Sequence, residues 1–293
     1  MNDSLLQAIR DRIRDATGTP CDGGQVRQVG GGCINETFVR DGTLRWFVKV
    51  NDAIHAAMFE AENDALKGIA ATHTIRVPSP IATGIAASHS YLVLEMLDLQ
   101  SGTPASWAAM GRALAELHRC SSPDSRFGWQ CDNFIGATPQ PNGWRVDWIT
   151  FWREQRLGFQ FKLAAEKGAR FHGADQLLDG LDTLLDGHAP RPSLLHGDLW
   201  NGNAGFVENG VPVIFDPASY FGDRECDLAF TRLFGGFPPS FYVAYEAGWP
   251  LPSGWRERES LYNLYHVLNH WNLFGGSYRQ QAQIMIDELV RRL

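Results

Sequence analysis

His196-Gly197-Asp198-Leu199-Trp200-Asn201-Gly202-Asn203 is followed, after a short gap, by the apolar run Val213-Ile214-Phe215 and then Asp216-Pro217. The stretch places a carboxylate at 198, a side-chain amide at 203 and a second carboxylate at 216. A loop bearing Asp and Asn, next to a strand that ends in Asp-Pro, brings all three groups to one edge of a strand-loop-strand unit. The plain alternative is a turn. Asp and Asn beside Gly are common turn formers, so His-Gly-Asp alone carries little weight. The strand that leads into Asp216 shifts the balance toward a site.

Two carboxylates and an amide in this order suit phosphoryl transfer. Asp198 would accept the proton of an attacking hydroxyl, while Asn203 and Asp216 would hold Mg2+ against the phosphates of ATP. The spacing H-x-D-x-x-x-x-N is that of the protein-kinase catalytic loop. The intervening Gly, Trp and Asn differ from it and point toward small-molecule kinases. His196 reads as structural, because the proton falls to the aspartate. Trp200 has two readings: a core tryptophan, or a flat face that stacks on a sugar ring or aryl amine of the substrate. Tryptophan is rarely fully buried.

A chain of 293 residues can bury a real core and form two lobes. Hydrophobic content of 44% with 20% charged residues is that of a soluble globular protein. A net charge of -7 without a basic tail argues against nucleic acid as a partner. No apolar stretch approaches membrane-spanning length and the start lacks a signal-peptide pattern, so the expectation is no membrane association and a cytoplasmic location. Cys21, Cys33, Cys120, Cys131 and Cys226 are scattered and contain no C-x-x-C, which disfavours a disulfide scaffold or a structural zinc site.

Along the chain, Ser4 with Gln7 resembles a capping box that starts a helix running to about Ala16. Strands are expected over 25–29, 37–40 and 44–50, the last two joined at Asp41-Gly42. A helix over 53–70 follows, then strands over 81–86 and 91–95 with Ser88-His89 between them. Together they make a five-stranded antiparallel unit with one inserted helix. After Leu97–Thr103 the pattern turns helical over 104–119, 147–168 and 174–185. Short strands near 194, 204–207 and 213–215 interrupt it. Helices near 227–234, 254–273 and 278–293 close the chain. The stretch 123–142, rich in Gly, Pro and Asn, reads as the longest irregular segment, of the kind that often carries function.

Gly30-Gly31-Gly32 sits between two strands, where backbone N–H groups can approach phosphate oxygens. It is neither a Walker A nor a Rossmann fingerprint, and a plain glycine turn fits as well. Lys49 is more informative, because it lies inside the apolar run Trp46-Phe47-Val48-Lys49-Val50. In the next helix Met58, Phe59, Ala65, Leu66 and Ile69 form one stripe with Glu62 at its centre. A buried carboxylate is costly unless paired. Lys49–Glu62 is the obvious pair, and it reproduces the bridge that positions ATP phosphates in kinases. Glu95, Met96 and Leu97 join the two halves. The Glu95 carbonyl and the Leu97 N–H are expected to meet the adenine edge.

These residues together resemble the fructosamine kinase family, also called ketosamine or fructosamine-3-kinases. The family is a branch of the protein-kinase-like and aminoglycoside-phosphotransferase-like superfamily. The similarity runs through Gly31-Gly32-Cys33-Ile34-Asn35, Phe47-Val48-Lys49-Val50-Asn51, Asn133-Phe134-Ile135-Gly136, His196–Trp200, Gly222–Ala229 and Leu264–His270. It implies an α+β, bilobal protein-kinase-like fold. Residues 1–96 would be the nucleotide-binding lobe, 97–103 a hinge, and 104–293 the catalytic and acceptor-binding lobe. Gly31, Gly32, Cys33, Lys49, Glu62, Glu95, Met96 and Leu97 would serve ATP. The implied reaction phosphorylates the 3-hydroxyl of a sugar bound to an amine as a ketosamine, either a small molecule or a glycated protein amine. The 3-phosphate would then release the amine. Asp223 departs from the family pattern, where a histidine is common, and bears on fine substrate preference.

Some members of the family use the cysteine at the position of Cys33 as a redox switch. A monomer or a redox-linked homodimer is therefore expected, with a thiolate favoured by the backbone amides and Lys49. Asp227 and Arg224 read as structural props, Asp227 as a cap of the next helix. His266 and His270 have the spacing of a zinc-protease pair, but Val267 stands where the motif needs glutamate. Two other readings stay open: an aminoglycoside or choline kinase of the same fold, and a nucleotide-binding pseudokinase or redox module without turnover.

Overall fold

The computed structural model describes residues 1–21, 24–30, 34–42 and 44–293. Helix α1 spans Asp3–Thr17. Its cap is Asn2, whose Oδ1 accepts from Leu5 N at 2.8 Å, not Ser4 as the capping-box pattern suggests. Asn and Ser are near-equal caps, so the choice is made by where the helix begins to pack. Leu5, Ile9 and Ile13 lie on one stripe of α1 and are fully buried.

That stripe covers one face of an antiparallel sheet built from β1 (Val26–Val29), β2 (Glu36–Arg40), β3 (Trp46–Asp52), β4 (Pro80–Ala86) and β5 (His89–Glu95) in the order β1-β2-β3-β5-β4. Strand alternation decides the rest. Trp46, Val48 and Val50 of β3, with Tyr91 and Val93 of β5, form a core with α1. The intervening Lys49, and Leu92 and Leu94 of β5, face the other side. There α2 (Ala56–Ala70), entered through a 3-10 turn at Ala53–His55, packs Phe59, Leu66 and Ile69. The turn between β4 and β5 is Ala87-Ser88, one residue earlier than the sequence suggests. Both residues have positive φ (49° and 65°), and Ala86 pairs with His89. This is the backbone twist that two-residue hairpins favour.

Beyond the connecting segment, α3 (Pro104–Arg119) begins with Thr103 as a reciprocal cap with Ser106. The segment read as irregular contains a small hairpin, β6 (Asn133–Ile135) with β7 (Thr138–Gln140). The helix expected over 147–168 is α4 (Trp148–Trp152), a π-turn at Arg153–Leu157 and α5 (Gly158–Glu166). The helix expected over 174–185 is split at Gly180 into α6 (Ala174–Asp179) and α7 (Leu181–Leu184). Then come β8 (Ser193–Leu195), β9 (Ala204–Val207), β10 (Val211–Ile214), β11 (Tyr220–Gly222) and α8 (Glu225–Leu233). The chain closes with α9 (Pro239–Gly248), absent from the sequence reading, α10 (Trp255–Phe274) and α11 (Tyr278–Val290). Trp148, Phe151 and Trp152 are buried in the core with α10 and α11, so these aromatic side chains serve packing.

The two halves are joined at several points. Arg45 grips Asp98 with two bonds of 2.5 and 2.8 Å, Gln100 N donates to Phe206 O at 2.7 Å, and Ile214 N donates to Arg76 O at 3.0 Å. Among the described residues Cys21, Cys120, Cys131 and Cys226 are free, and no helix is long and apolar enough to cross a membrane.

Helices α3 and α9 touch backbone to backbone at Gly111, where a Cβ would lie 2.2 Å from Phe241 O. Replacing Gly111 by Ala must push the helices apart and should destabilise the protein by about 1–3 kcal/mol. The denaturant midpoint measures this, and an unchanged midpoint would show that the helices separate freely.

Candidate active site

The loop after β8 carries His196-Gly197-Asp198, and its shape is set by Asp227 from the first turn of α8. The Asp227 carboxylate accepts from His196 N at 2.7 Å, from Gly197 N at 2.8 Å and from His118 Nε2 at 3.1 Å. It is therefore a brace for this loop and not the helix cap expected from its position. Burial pushes the Asp227 carboxyl up, yet the bond from His118 and the other donors bring it below its usual range. Gly197 has φ +83°, and a Cβ there would sit 2.1 Å from Ala218 O. Only glycine fits where the two loops cross. His196 is buried and held neutral by that burial. Its Nε2 donates to Phe215 O at 3.0 Å, leaving Nδ1 to accept from Asp198 N at 3.2 Å.

Asp198 lies beside Asn203, which donates from Nδ2 to both Asp198 O (2.8 Å) and Asp198 Oδ2 (2.9 Å). With both amide hydrogens spent on Asp198, Asn203 retains its Oδ1 as an oxygen ligand. Burial and the nearby Asp216 charge push the Asp198 carboxyl up to about 7, against the pull of the Asn203 bond. Asp216 has a left-handed backbone, φ +59°, which is uncommon outside Gly, Asn and Asp and recurs at functional sites.

Lys49 Nζ reaches Glu62 Oε1 at 2.7 Å and Oε2 at 2.9 Å, and Asp216 Oδ1 at 2.7 Å. Its side chain is 7% exposed and that of Glu62 13%. Burial alone would lower the Lys49 pKa, but the charges of Asp216 and Glu62 more than offset it and hold the ammonium protonated. Glu60 is exposed, as the stripe on α2 implies.

Two cavities meet at these residues. One, of about 260 Å³, is lined by Lys49, Glu62, Phe134, Asp198, Asn203 and Asp216. The other, of about 430 Å³, is mostly apolar and lined by Val29, Phe47, Glu95, Met96, Leu97 and Phe215. Trp200, Asn203 and Asp216 border both. The Glu95 carboxylate turns away to Arg76 and accepts from Ser79 N at 3.2 Å, so only the backbone of Glu95 can serve a ligand. Trp200 is 37% exposed, its ring set edge-on to Phe234 and resting on Gly202, so it is not a core tryptophan. Gly31, Gly32 and Cys33 lie outside the described residues. The adjoining Ile34 O and Asn35 Oδ1 are held by Asn51 Nδ2 at 3.3 and 2.8 Å.

His266 is stacked flat on Phe230 at 3.5 Å, and His270 Nδ1 bonds back to His266 O. They form no metal cluster among the described residues. His188, Asp223 and Glu225 do come together, but their atoms are committed. His188 Nε2 and Tyr262 OH donate to Asp223 Oδ2 at 2.6 and 2.5 Å, and Arg258 takes both oxygens of Glu225 at 2.8 Å. Asp223 borders neither of these cavities, so its departure from the family pattern does not act through direct contact there. Arg224 stacks on Trp249 and donates to Trp249 O at 2.8 Å, as a structural prop.

Comparison with known proteins bears on this arrangement. The fold is protein-kinase-like. A thermostable mutant of an aminoglycoside phosphotransferase, solved in ternary complex with ADP and hygromycin B, matches with TM-score 0.64 over 97% of this chain and 98% of that one. At 17% identity it speaks to fold alone. The profile of the fructosamine kinase family matches residues 5–292, and the chain belongs to that family. A probable ketoamine kinase of Synechocystis sp. is 49% identical over 286 residues, 97% of each chain. The chloroplastic protein-ribulosamine 3-kinase of Arabidopsis thaliana is 42% identical over 92% of this chain and 83% of its own. A solved structure from Haemophilus somnus, described as a candidate fructosamine-3-kinase, has TM-score 0.91 and 33% identity over 97% of both chains.

Asp227→Ala leaves two buried N–H groups and His118 without their acceptor. The cost should be about 3–5 kcal/mol, the range for breaking a buried charged network. Because the Asp227 carboxyl titrates below its unfolded value, its contribution is complete above pH about 4 and is lost as acid protonates it. Denaturation at pH 7 and pH 3 checks both points: the gap between parent and variant should shrink at the lower pH.

Proposed function

We propose that this protein is an ATP- and Mg2+-dependent kinase that phosphorylates the sugar 3-hydroxyl of ketosamines, small or carried on glycated proteins. The observation that carries the proposal is the convergence of Lys49, Asp198, Asn203 and Asp216 on one cavity in a member of the fructosamine kinase family. The names of its ketoamine and ribulosamine kinase relatives support the acceptor class. In this reading residues 1–96 hold the nucleotide, 97–103 form the hinge, and 104–293 carry catalysis and the acceptor. A cytoplasmic monomer, able to link through Cys33, belongs to the same reading and rests on the family resemblance.

The donor set fits Mg2+. The free Oδ1 of Asn203 and the carboxylate of Asp216 are hard oxygen ligands of the kind that Mg2+ takes. Bound there, the ion would neutralise charge that develops on the transferring phosphate. The apolar hinge cavity suits the adenine ring, with the backbone at Glu95 and Leu97 at its edge. Lys49, steered by Glu62, supplies a fixed positive charge to the phosphates. Asp198 takes the proton as the sugar 3-oxygen attacks the γ-phosphorus. The bond from that phosphorus to the bridging oxygen breaks, and ADP leaves. Trp200 offers a flat face to the sugar beside the base.

A base must be ionised. With the Asp198 carboxyl at about 7 in the free protein, kcat/KM should be level above that pH and fall as pH drops through it. Asp198→Ala should lower kcat by about 10²–10⁴-fold and remove this limb, with ATP affinity largely kept. An ATPase-coupled assay with a fructosyl-amine, with phosphate located on the sugar by NMR, reads all of this. Transfer to an aminoglycoside but to no ketosamine would refute the proposal.

Asp216→Asn removes one ligand charge and one of the two carboxylates around Lys49, which stays bonded to Glu62. The Mg2+ concentration for half-maximal rate should rise at least about tenfold, as loss of one charged ligand implies. An unchanged Mg2+ titration counts against Asp216 as a ligand.

A further inference from the structure

The hairpin at residues 133–140 lies in a stretch that the mechanism above does not use, yet it borders the reacting groups. We propose that this hairpin is the acceptor wall of the cleft and that Phe134 selects the acceptor, favouring ketosamines whose amine carries a methylene stem. The inference rests on the ketosamine reading above and names how that site chooses among amines.

Strand alternation sets the geometry. Asn133 and Ile135 point inward, each 3% exposed, and Ile135 joins the core of the helical half. Phe134 points the other way. It is half-buried and lines the 260 Å³ cavity together with Asp198, Lys49 and Trp200. It is thus an apolar ring on the wall of a cavity that holds the candidate base.

The wall is fixed to the catalytic loops by a buried polar chain. Gln140 lies directly across from Asn133 and donates to its Oδ1 at 2.7 Å and to Ala218 O at 3.1 Å. Asn133 Nδ2 donates to Ser219 O at 2.8 Å, and Tyr265 OH donates to Gln140 Oε1 at 2.7 Å. Ala218 N in turn donates to His196 O at 2.9 Å, two residues before the base. Just past the hairpin, Arg156 donates to Pro141 O at 2.6 Å and to Asn142 Oδ1 at 2.8 Å. Its guanidinium faces the ring of Tyr220 at 4.0 Å. The hairpin turn is wedged between the two halves of the protein: at Gly136, φ +64°, a Cβ would come within 2.9 Å of Leu273 and 3.2 Å of Ile34. A surface held this way cannot adapt freely to a ligand, and rigid supporting contacts are what make a wall selective.

Charge points to the kind of amine. Glu62, Asp198 and Asp216 face the cavity against the single ammonium of Lys49. With Glu62 committed to Lys49 and Mg2+ held by Asp216 and Asn203, Asp198 is the carboxylate left facing the acceptor; a carboxylate close to the ketosamine nitrogen meets its charge, whereas an apolar stem can lie on Phe134. The lysine ε-amine adduct has that stem. The glycine α-amine adduct has a carboxylate in its place.

Steady-state kinetics on ε-fructosyl-lysine and α-fructosyl-glycine test this with the full chain, Phe134→Ala and Phe134→Leu. The parent should show the lower KM for the lysine adduct. Phe134→Ala should raise that KM about tenfold, the order expected for one lost aromatic contact, and leave the KM for the glycine adduct and for ATP within about twofold. Phe134→Leu keeps an apolar side chain, guards against misfolding, and should fall between. Thermal unfolding of each variant accompanies the kinetics. Equal shifts for both acceptors and ATP, or no shift with a parent that turns both over, overturn the wall while leaving the ketosamine reading intact. A parent that phosphorylates neither these adducts nor their ribulosyl counterparts overturns both.

Discussion

A single buried ammonium organises this protein. Lys49 joins Glu62 of α2 to Asp216, which lies 167 residues further along the chain, so one charge ties together the sheet, the helix on its face and the loop after β10. Removing Lys49 or Glu62 from water costs several kcal/mol unless the partners are in place. The penalty is met only when all three elements dock in one arrangement. The same arrangement leaves two carboxylates facing one cation, a local excess of negative charge that suits a divalent cation.

A second buried cluster does for the loop at 196–203 what Lys49 does for the cleft. Asp227 gathers two backbone N–H groups and His118, and Tyr245 OH bonds the other side of His118 at 2.8 Å. Helices α3, α8 and α9 therefore meet at the loop that carries Asp198. This placement keeps Asp198 half-buried next to Asp216, which is why its carboxyl is raised toward neutrality. Electrostatics and packing are one fact here: a looser loop would hydrate the carboxylate and lower its pKa. The hairpin at 133–140 is tied to the same loops through amide-to-carbonyl bonds in place of charges.

Legibility in the sequence followed physical locality. Lys49 and Glu62 could be read because an apolar strand and an amphipathic stripe announce which face is buried, and a charge on that face demands a partner. Asp198, Asn203 and Asp216 could be read because their spacing is local and bound to a strand. Trp200 stayed ambiguous, since neither of its readings leaves a periodic trace. The brace role of Asp227 was missed because its partner His118 lies 109 residues away, and no local pattern connects them. Helix α9 was missed although Pro239 stands at its first turn, a usual start signal. Its need for Gly111 on α3 is visible only once the two helices touch. The π-turn at Arg153–Leu157 interrupts a periodicity that reads as one continuous helix.

What the sequence determined by itself was the set of elements with a strong period, the family, and the identity of the groups suited to chemistry. Each of these follows from residues close together in the chain. Tertiary structure alone decided which groups those residues meet: Lys49 with Asp216 as well as Glu62, Asp227 with the catalytic loop, and Asn133 and Gln140 with the backbone at 218–219. The reason is that hydrogen bonds and ion pairs between distant segments depend on distance and direction in space, and a linear pattern of polar and apolar residues encodes only the face on which each side chain lies.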